Sequence, residues 1–353
     1  MITISCDSTN LTGISNEVRN KGVLNKQSSG VWFLNASLVI AKGAILHIDS
    51  ADTNWLRINS DLYGNKTTPN AIDVHGSLKI DSIKVTSCNT VTNSSTTING
   101  LKSDPRNGGN GVILHGTSRP FIIIEKDAVG TTDITNSEIA YLGYGSGTLD
   151  HGSSGLSYYG GEGSVLRGNN IHDLYFGFYS SDVGRLVIEN NQVHHNTIYG
   201  FNLDRGSHDT IIRNNVVHDN GQYGIICSLN CNNVTIENNA VYRNSYKNVG
   251  AGIMFDKNMT NSIARNNNIH NEGIGIFMSD AHNNEVYNNS LSDSEFGINV
   301  ASESSGNIFY SNTVKNPLYY GIYAQDPTSV NNTFYNNQMI NSTSAINSHN
   351  KSG

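Results

Sequence analysis

The chain has 353 residues, 22 Lys and Arg against 29 Asp and Glu, a formal charge of −7 and only 14% charged residues. No basic stripe is present, which sets nucleic acid aside as a partner, and a polyanionic ligand needs local cations to overcome the overall repulsion. No window approaches the ~18 apolar residues of a membrane span, and no basic-then-apolar signal peptide follows Met1. The expected address is extracellular or periplasmic, any leader having been removed. Residues 1–26 read as an N-terminal cap. VWFLNASLVIAKGAILHID, LRINSD, IDVHGSLKIDSIKV and RPFIIIE then alternate like strands and are taken as the first rungs of a repeat. The segments Ser87–Asn110 and Gly145–Ser154 are rich in Gly, Ser, Asn and Thr and are expected to project outwards.

From about residue 169 the repeat is explicit. Gly177, Gly200, Gly224, Gly252, Gly275, Gly297 and Gly321 each open a short apolar run, at steps of 23, 24, 28, 23, 22 and 24. Asn pairs such as Asn190-Asn191, Asn214-Asn215 and Asn238-Asn239 keep nearly the same period. Each period holds three segments too short for helices, for example TIIRNN, VVHD and YGIICS. This is the signature of an all-β chain folded as a single right-handed parallel β-helix. Its rungs have 22–24 residues, the most regular over 119–345, and no linker divides residues 1–353. The longer step is assigned to an insertion, Ser245–Ala251. The Asn pairs are placed at a tight turn, because Asn tolerates a left-handed backbone, and are expected to stack as a hydrogen-bonded ladder. Asn214 and Asn238 are on this reading buried in turn hydrogen bonds. The four cysteines, Cys6, Cys88, Cys227 and Cys231, lack a CxxC spacing and read as buried or free thiols rather than metal ligands.

A β-helix makes equal offsets in successive rungs spatial neighbours. Four residues beyond each Gly come Ser181, Asp204, Ser228, Asp256 and Ser279; five beyond come Asp182, Arg205, Leu229, Lys257 and Asp280. Asp182, Asp204, Arg205, Asp256 and Lys257 therefore fall on one face, with Tyr199 near it. A linear groove of acids, cations and a phenol suits an extended polymer; cross-rung ion pairs such as Asp182 with Arg205 are the plainer account of the same residues. His172, His194, His218 and His270 recur after the Asn pairs, but Tyr242 and Ser292 occupy the same slot. They read as a stacked turn column rather than as metal ligands.

RPFIIIE, NSEIAYLGYG, DLYFGFYSSD, YGFNLDRGSHDTIIRNN, YGIICSLN and GIMFDKN resemble the catalytic β-helix of the mannuronan C5-epimerases of the periplasmic alginate type. The resemblance covers most of the chain. It implies an acidic polysaccharide, a polyuronate, as partner and no required cofactor. In that family Asp-Pro-His follows the Tyr-Gly; here the positions are Asn202, Leu203 and Asp204. The family's Arg one rung on is Leu229. Tyr199 is retained, and Lys257 matches a basic position. C5 chemistry needs a cation for the carboxylate, a base on one face and an acid on the other. The resemblance thus implies Tyr199, Asp204 and His208 as catalytic candidates, with Asp182, Asn202, Arg205, Asp256 and Lys257 holding substrate. An epimerase, or a lyase of the same chemistry, is one reading. Calcium is compatible with it through Asp182, Asp204 and Asp256. A non-catalytic glycan-binding or structural β-helix that has lost Asp-Pro-His is the other.

Overall fold

A computed structural model of the chain describes residues 1–60, 68–96, 118–145, 152–244, 250–342 and 346–348. Short strands dominate, and among the described residues one helix occurs, Leu11–Glu17, whose start is capped by the Asn10 side chain accepting from the Gly13 N–H. The architecture is the expected right-handed parallel β-helix.

The reason the strands are short lies in the corners. In successive rungs Asn190, Asn214, Asn238, Asn266 and Asn288 hold φ between 54° and 57°. His195, Asp219, Arg243, Asn271 and Asp293 are left-handed at a second corner, with φ of 53–56°, and Arg205, Leu229, Lys257 and Asp280 at a third, with φ of 45–55°. At the first two corners the left-handed residue follows the end of one strand and redirects the chain into the next sheet, whereas Lys257 and Asp280 bend the chain within the strands Ala251–Thr260 and Ile274–His282. Asn and Asp bear this conformation at least cost.

Two compact units are present, Met1–Leu186 and Val187–Gly353, and the strands of each form three parallel sheets. In the first unit, Ile2–Ile4, Leu38–Ile40, Ala71–Val74, Phe121–Ile124, Gly155–Tyr158 and Phe176–Ser181 are successive members of one sheet. The stretch expected as a cap thus already contributes a strand. It also supplies Leu24–Ser28, which runs antiparallel to Val31–Leu34. Arg119 of RPFIIIE is buried and donates to the carbonyls of Gly143, Leu142 and Asp173 at 2.7–2.8 Å. Burial holds its guanidinium down to about 10.

In the second unit the corresponding sheet contains Tyr199–Asp204, Tyr223–Cys227, Ala251–Thr260, Ile274–His282, Phe296–Ala301 and Tyr320–Ala324. Phe201, Ile225, Ile253, Ile276, Ile298 and Ile322 stack in register inside it, fully buried. Fully burying one such side chain is worth ~1.5–3 kcal/mol, so the columns dominate stability. The glycines that mark the period are required by contact. A Cβ on Gly224 would lie 2.7 Å from the Gly252 carbonyl oxygen and 2.7 Å from Val241 Cγ1. Cys227 occupies an inward column between Leu203 and Phe255, Cys231 is also buried, and all four cysteines are free thiols.

The ladder is present, but one residue away from the expected position. Asn191, Asn215, Asn239, Asn267, Asn289, Asn312 and Asn337 are its rungs, each amide donating to the next Oδ1 at 2.9–3.0 Å. Asn214 and Asn238 are instead the exposed left-handed corner residues. In each pair the first Asn bends the chain outwards, and only the second directs its side chain between rungs.

Of the expected loops, residues 97–117, 146–151 and 245–249 lie outside the described residues. Ser87 and Cys88 belong to the strand Lys84–Cys88, and Ala251 opens the strand Ala251–Thr260.

Candidate functional site

Along Tyr199–Asp204 the side chains of Phe201 and Leu203 enter the core, so Asn202 and Asp204 take the outer face. Register extends this alternation through the second unit and yields three outer columns. At the strand starts stand Tyr199, Tyr223, Ala251, Ile274 and Phe296. Along the middle run Asn202, Ile226, Met254, Phe277 and Asn299. At the strand ends are Asp204, Ser228, Asp256 and Ser279, followed by the corner residues Arg205, Leu229, Lys257 and Asp280. The columns expected from equal offsets are therefore real.

Ile226, Ala251 and Met254 form a buried apolar floor against Tyr199, Tyr223, Ile274 and Phe277. The Tyr199 and Tyr223 rings stack at 5.3 Å. Across the floor the Ser228 hydroxyl donates to Asp256 Oδ2 at 3.1 Å, and Arg205 Nε lies 3.5 Å from Asp204 Oδ2. Arg205 and Lys257 are both exposed. At ~3.3 Å per residue, the Cα atoms of Tyr199 and Asp204 are about 17 Å apart, so the two candidates flank the floor from opposite sides.

Burial is the largest influence on Asp256 and raises its carboxyl above the ordinary 3.8, against the lowering effects of Ser228 and Lys257. Tyr223 is raised by burial first and by the charge of Asp256 second. A carboxyl with a raised folded-state pKa favours the native state below the ordinary value and loses that contribution as pH climbs through the raised one. Asp256→Asn is therefore expected to unfold at a higher temperature than the native chain at neutral pH. The difference should close below about pH 4, where both carry no charge there. Thermal melts across pH check this; a less stable Asn variant at neutral pH would mean that the ionised carboxylate and Lys257 outweigh burial.

Asp182 belongs to the first unit, where Lys126 Nζ holds it at 2.8 Å; the partner found for Arg205 is Asp204. His208 lies beyond the corner made by Arg205, bridged to Asn232 and hydrogen-bonded through Nδ1 to Asp209 at 2.9 Å. The corner carries it off the outer face. Among the described residues no three His, Cys, Asp or Glu side chains converge on a cation position. Tyr223 and Asn299 complete the face and were not singled out beforehand, although Tyr223 holds the same offset as Tyr199 one rung later.

The fold is shared with solved carbohydrate-related proteins. The structure of the periplasmic alginate epimerase AlgG matches with a TM-score of 0.76 at 19% identity, over 98% of this chain and 85% of that one. The A-module of Azotobacter vinelandii mannuronan C-5 epimerase AlgE4 matches at 0.64 and 16%, over 92% and 90%. DFA-IIIase from Arthrobacter chlorophenolicus A6 matches at 0.62 and 12%, over 99% and 100%. No curated protein matches the sequence significantly.

A family model described as periplasmic copper-binding protein (NosD) matches residues 89–291 and 229–353. The stacked histidine column does not converge on a copper ion. His194, His218, Tyr242 and His270 stack face to face at 5.1, 4.9 and 4.8 Å, with interplanar angles of 10°, 4° and 6°. Ring lone pairs lie in the ring planes, so parallel rings cannot converge on one ion. His195 Nδ1 is 2.7 Å from His194 Nδ1, a hydrogen-bond distance. Burial pushes the Cys231 thiol up to about 12 and Cys227 well above its ordinary value. The model match nevertheless spans more than half of the sequence, and the chain belongs to the NosD family.

Proposed function

We propose that the chain binds an acidic polysaccharide, a polyuronate, along the outer face formed by Tyr199–Asp204 and the strands that follow. One observation carries this reading. Arg205 and Lys257 project from the same corner column, two rungs or about 10 Å apart, in a protein whose formal charge is −7. Exposed cations at a disaccharide-like spacing, beside an apolar floor, suit successive carboxylates of a linear chain. Two structures similar in fold are named for alginate and mannuronan, and the family description is periplasmic, which supports both the ligand class and an address outside the cytoplasm. Among the described residues no helix is long and apolar enough to cross a membrane.

Calorimetric titration with oligomannuronate should show saturable binding that weakens as salt rises, because the contacts are exposed. Absence of binding at low salt would sink the proposal.

A second reading, epimerisation or elimination at C5, is favoured by Asp256 and Tyr223, a carboxyl and a phenol raised by burial that stand on either side of the floor, close enough for the Asp256 charge to act on the phenol. One would remove the C5 proton and the other return one to the opposite face, with Arg205 or Lys257 neutralising the carboxylate. Leu229, where the related enzymes carry Arg, and Asp204 in place of their His favour binding without turnover. Incubation with polymannuronate in heavy water separates the readings. Binding alone leaves C5 unexchanged; exchange that disappears in Asp256→Asn would establish the enzyme.

A further inference from the structure

Two rungs beyond Lys257 the outer face changes character. Phe296, Tyr320 and Tyr323 form an aromatic cluster, with Phe296 5.6 Å from Tyr323 and Tyr320 5.1 Å from Tyr323. Tyr319 extends it at 5.4 Å from Phe296 and is 48% exposed. Asn299 lies between Ile298 and Val300, which enter the core, so its amide is on this outer face, in register with Tyr323. Its Nδ2 donates to Gln325 Oε1 at 3.2 Å. Its Oδ1 is buried, the residue being 4% exposed, and accepts no hydrogen bond. An unsatisfied buried acceptor carries a desolvation cost that a ligand hydroxyl removes.

The charge at this end is opposite to that at Arg205 and Lys257. Glu295 and Asp326 border the cluster, and Phe296–Ala301 and Tyr320–Ala324 contain neither Lys nor Arg. Asp326 is held below the ordinary carboxylate value by its hydroxyl and backbone donors, against the raising effect of burial, and stays ionised. A carboxylate-bearing sugar would be repelled here. An uncharged one is not, and the electron-rich ring faces attract the partly positive C–H groups of a pyranose.

We infer that this aromatic end is a binding subsite for a neutral pyranose of a polysaccharide. The sugar's C–H face lies on Phe296, Tyr320 and Tyr323, and one hydroxyl donates to Asn299 Oδ1. None of these residues is shared with the cationic stretch, so the assignment stands or falls apart from the polyuronate proposal.

Calorimetry on the full chain with mannohexaose and cellohexaose, and with hexamannuronate for comparison, tests it. At least one neutral hexasaccharide should bind with little salt dependence. Tyr320→Ala/Tyr323→Ala and Asn299→Leu should each weaken that binding by about tenfold or more, while Arg205→Ala/Lys257→Ala leaves it unchanged. Saturation-transfer NMR on the native chain, which needs no variant to fold, should carry magnetisation from aromatic protons to the sugar's C–H protons. Failure of both neutral hexasaccharides to bind, absence of transfer, or native affinity in a folded tyrosine variant would each overturn the subsite. Failure of hexamannuronate alone would overturn only the polyuronate proposal.

Discussion

Asn215→Leu is expected to destabilise the chain by at least about 3 kcal/mol, since a buried polar group left unpaired costs ~1–3 kcal/mol and this change strands several. Asn215 Nδ2 donates to Ile188 O and Asn239 Oδ1, and its Oδ1 accepts from the backbone and side-chain N–H groups of Asn191, all at 2.9–3.0 Å. No water can reach the groups left behind, and Leu offers them nothing. The neighbouring Asn214→Gly should be neutral or mildly stabilising, because φ at 214 is +56° and Gly bears that conformation without strain. Denaturant unfolding of both variants checks the pair. A native-like midpoint for Asn215→Leu would show that the ladder is dispensable; a large loss in Asn214→Gly would show that the exposed corner residue carries the stability instead.

Removing both cations, as Arg205→Ala/Lys257→Ala, should weaken oligomannuronate binding by at least about tenfold, the equivalent of ~1.4 kcal/mol. The figure is modest for two charges because both side chains are exposed and screened. The salt dependence of the remaining binding should flatten with it. Tyr199→Phe, which keeps the stacked ring against Tyr223, should leave affinity nearly native. Each single variant should keep part of the salt dependence. A double variant with native affinity would place the polyuronate elsewhere on the molecule.

The match of the family model to a copper-binding description sits beside a histidine column that does not converge. That contrast follows from the fold. A β-helix brings equal offsets into register at ~4.8 Å, which is a stacking distance for flat rings. The same regularity lets aromatic, amide and cationic columns run along a polymer.

Much was legible from the chain alone. The period, the three strands per rung, the inward aliphatic columns and the columns at equal offsets all follow from hydrophobic spacing. Register in a parallel stack allows little else, because a one-residue slip would turn Phe201 and Leu203 out of the core. The stacked histidines were visible for the same reason.

What the sequence did not decide depends on direction and surroundings. Which Asn of each pair enters the ladder is set by the corner's left-handed residue, and only the three-dimensional turn shows that it is the first. His208 is four residues from Asp204 but round that corner, where the β-helix puts it on another side. Asp182 resembles a partner for Arg205 in a list of offsets, yet Lys126, distant in sequence, holds it. Asp256 stands beside a lysine, which argues for a lowered pKa, and burial reverses the sign. Asn299 is one asparagine among many until its environment is seen: an amide oxygen closed off from solvent, beside aromatic rings. Spacing alone determined the fold, because stacking is a one-dimensional rule. Side-chain direction, solvent access and non-repeating neighbours are three-dimensional quantities, and the tertiary structure decided them.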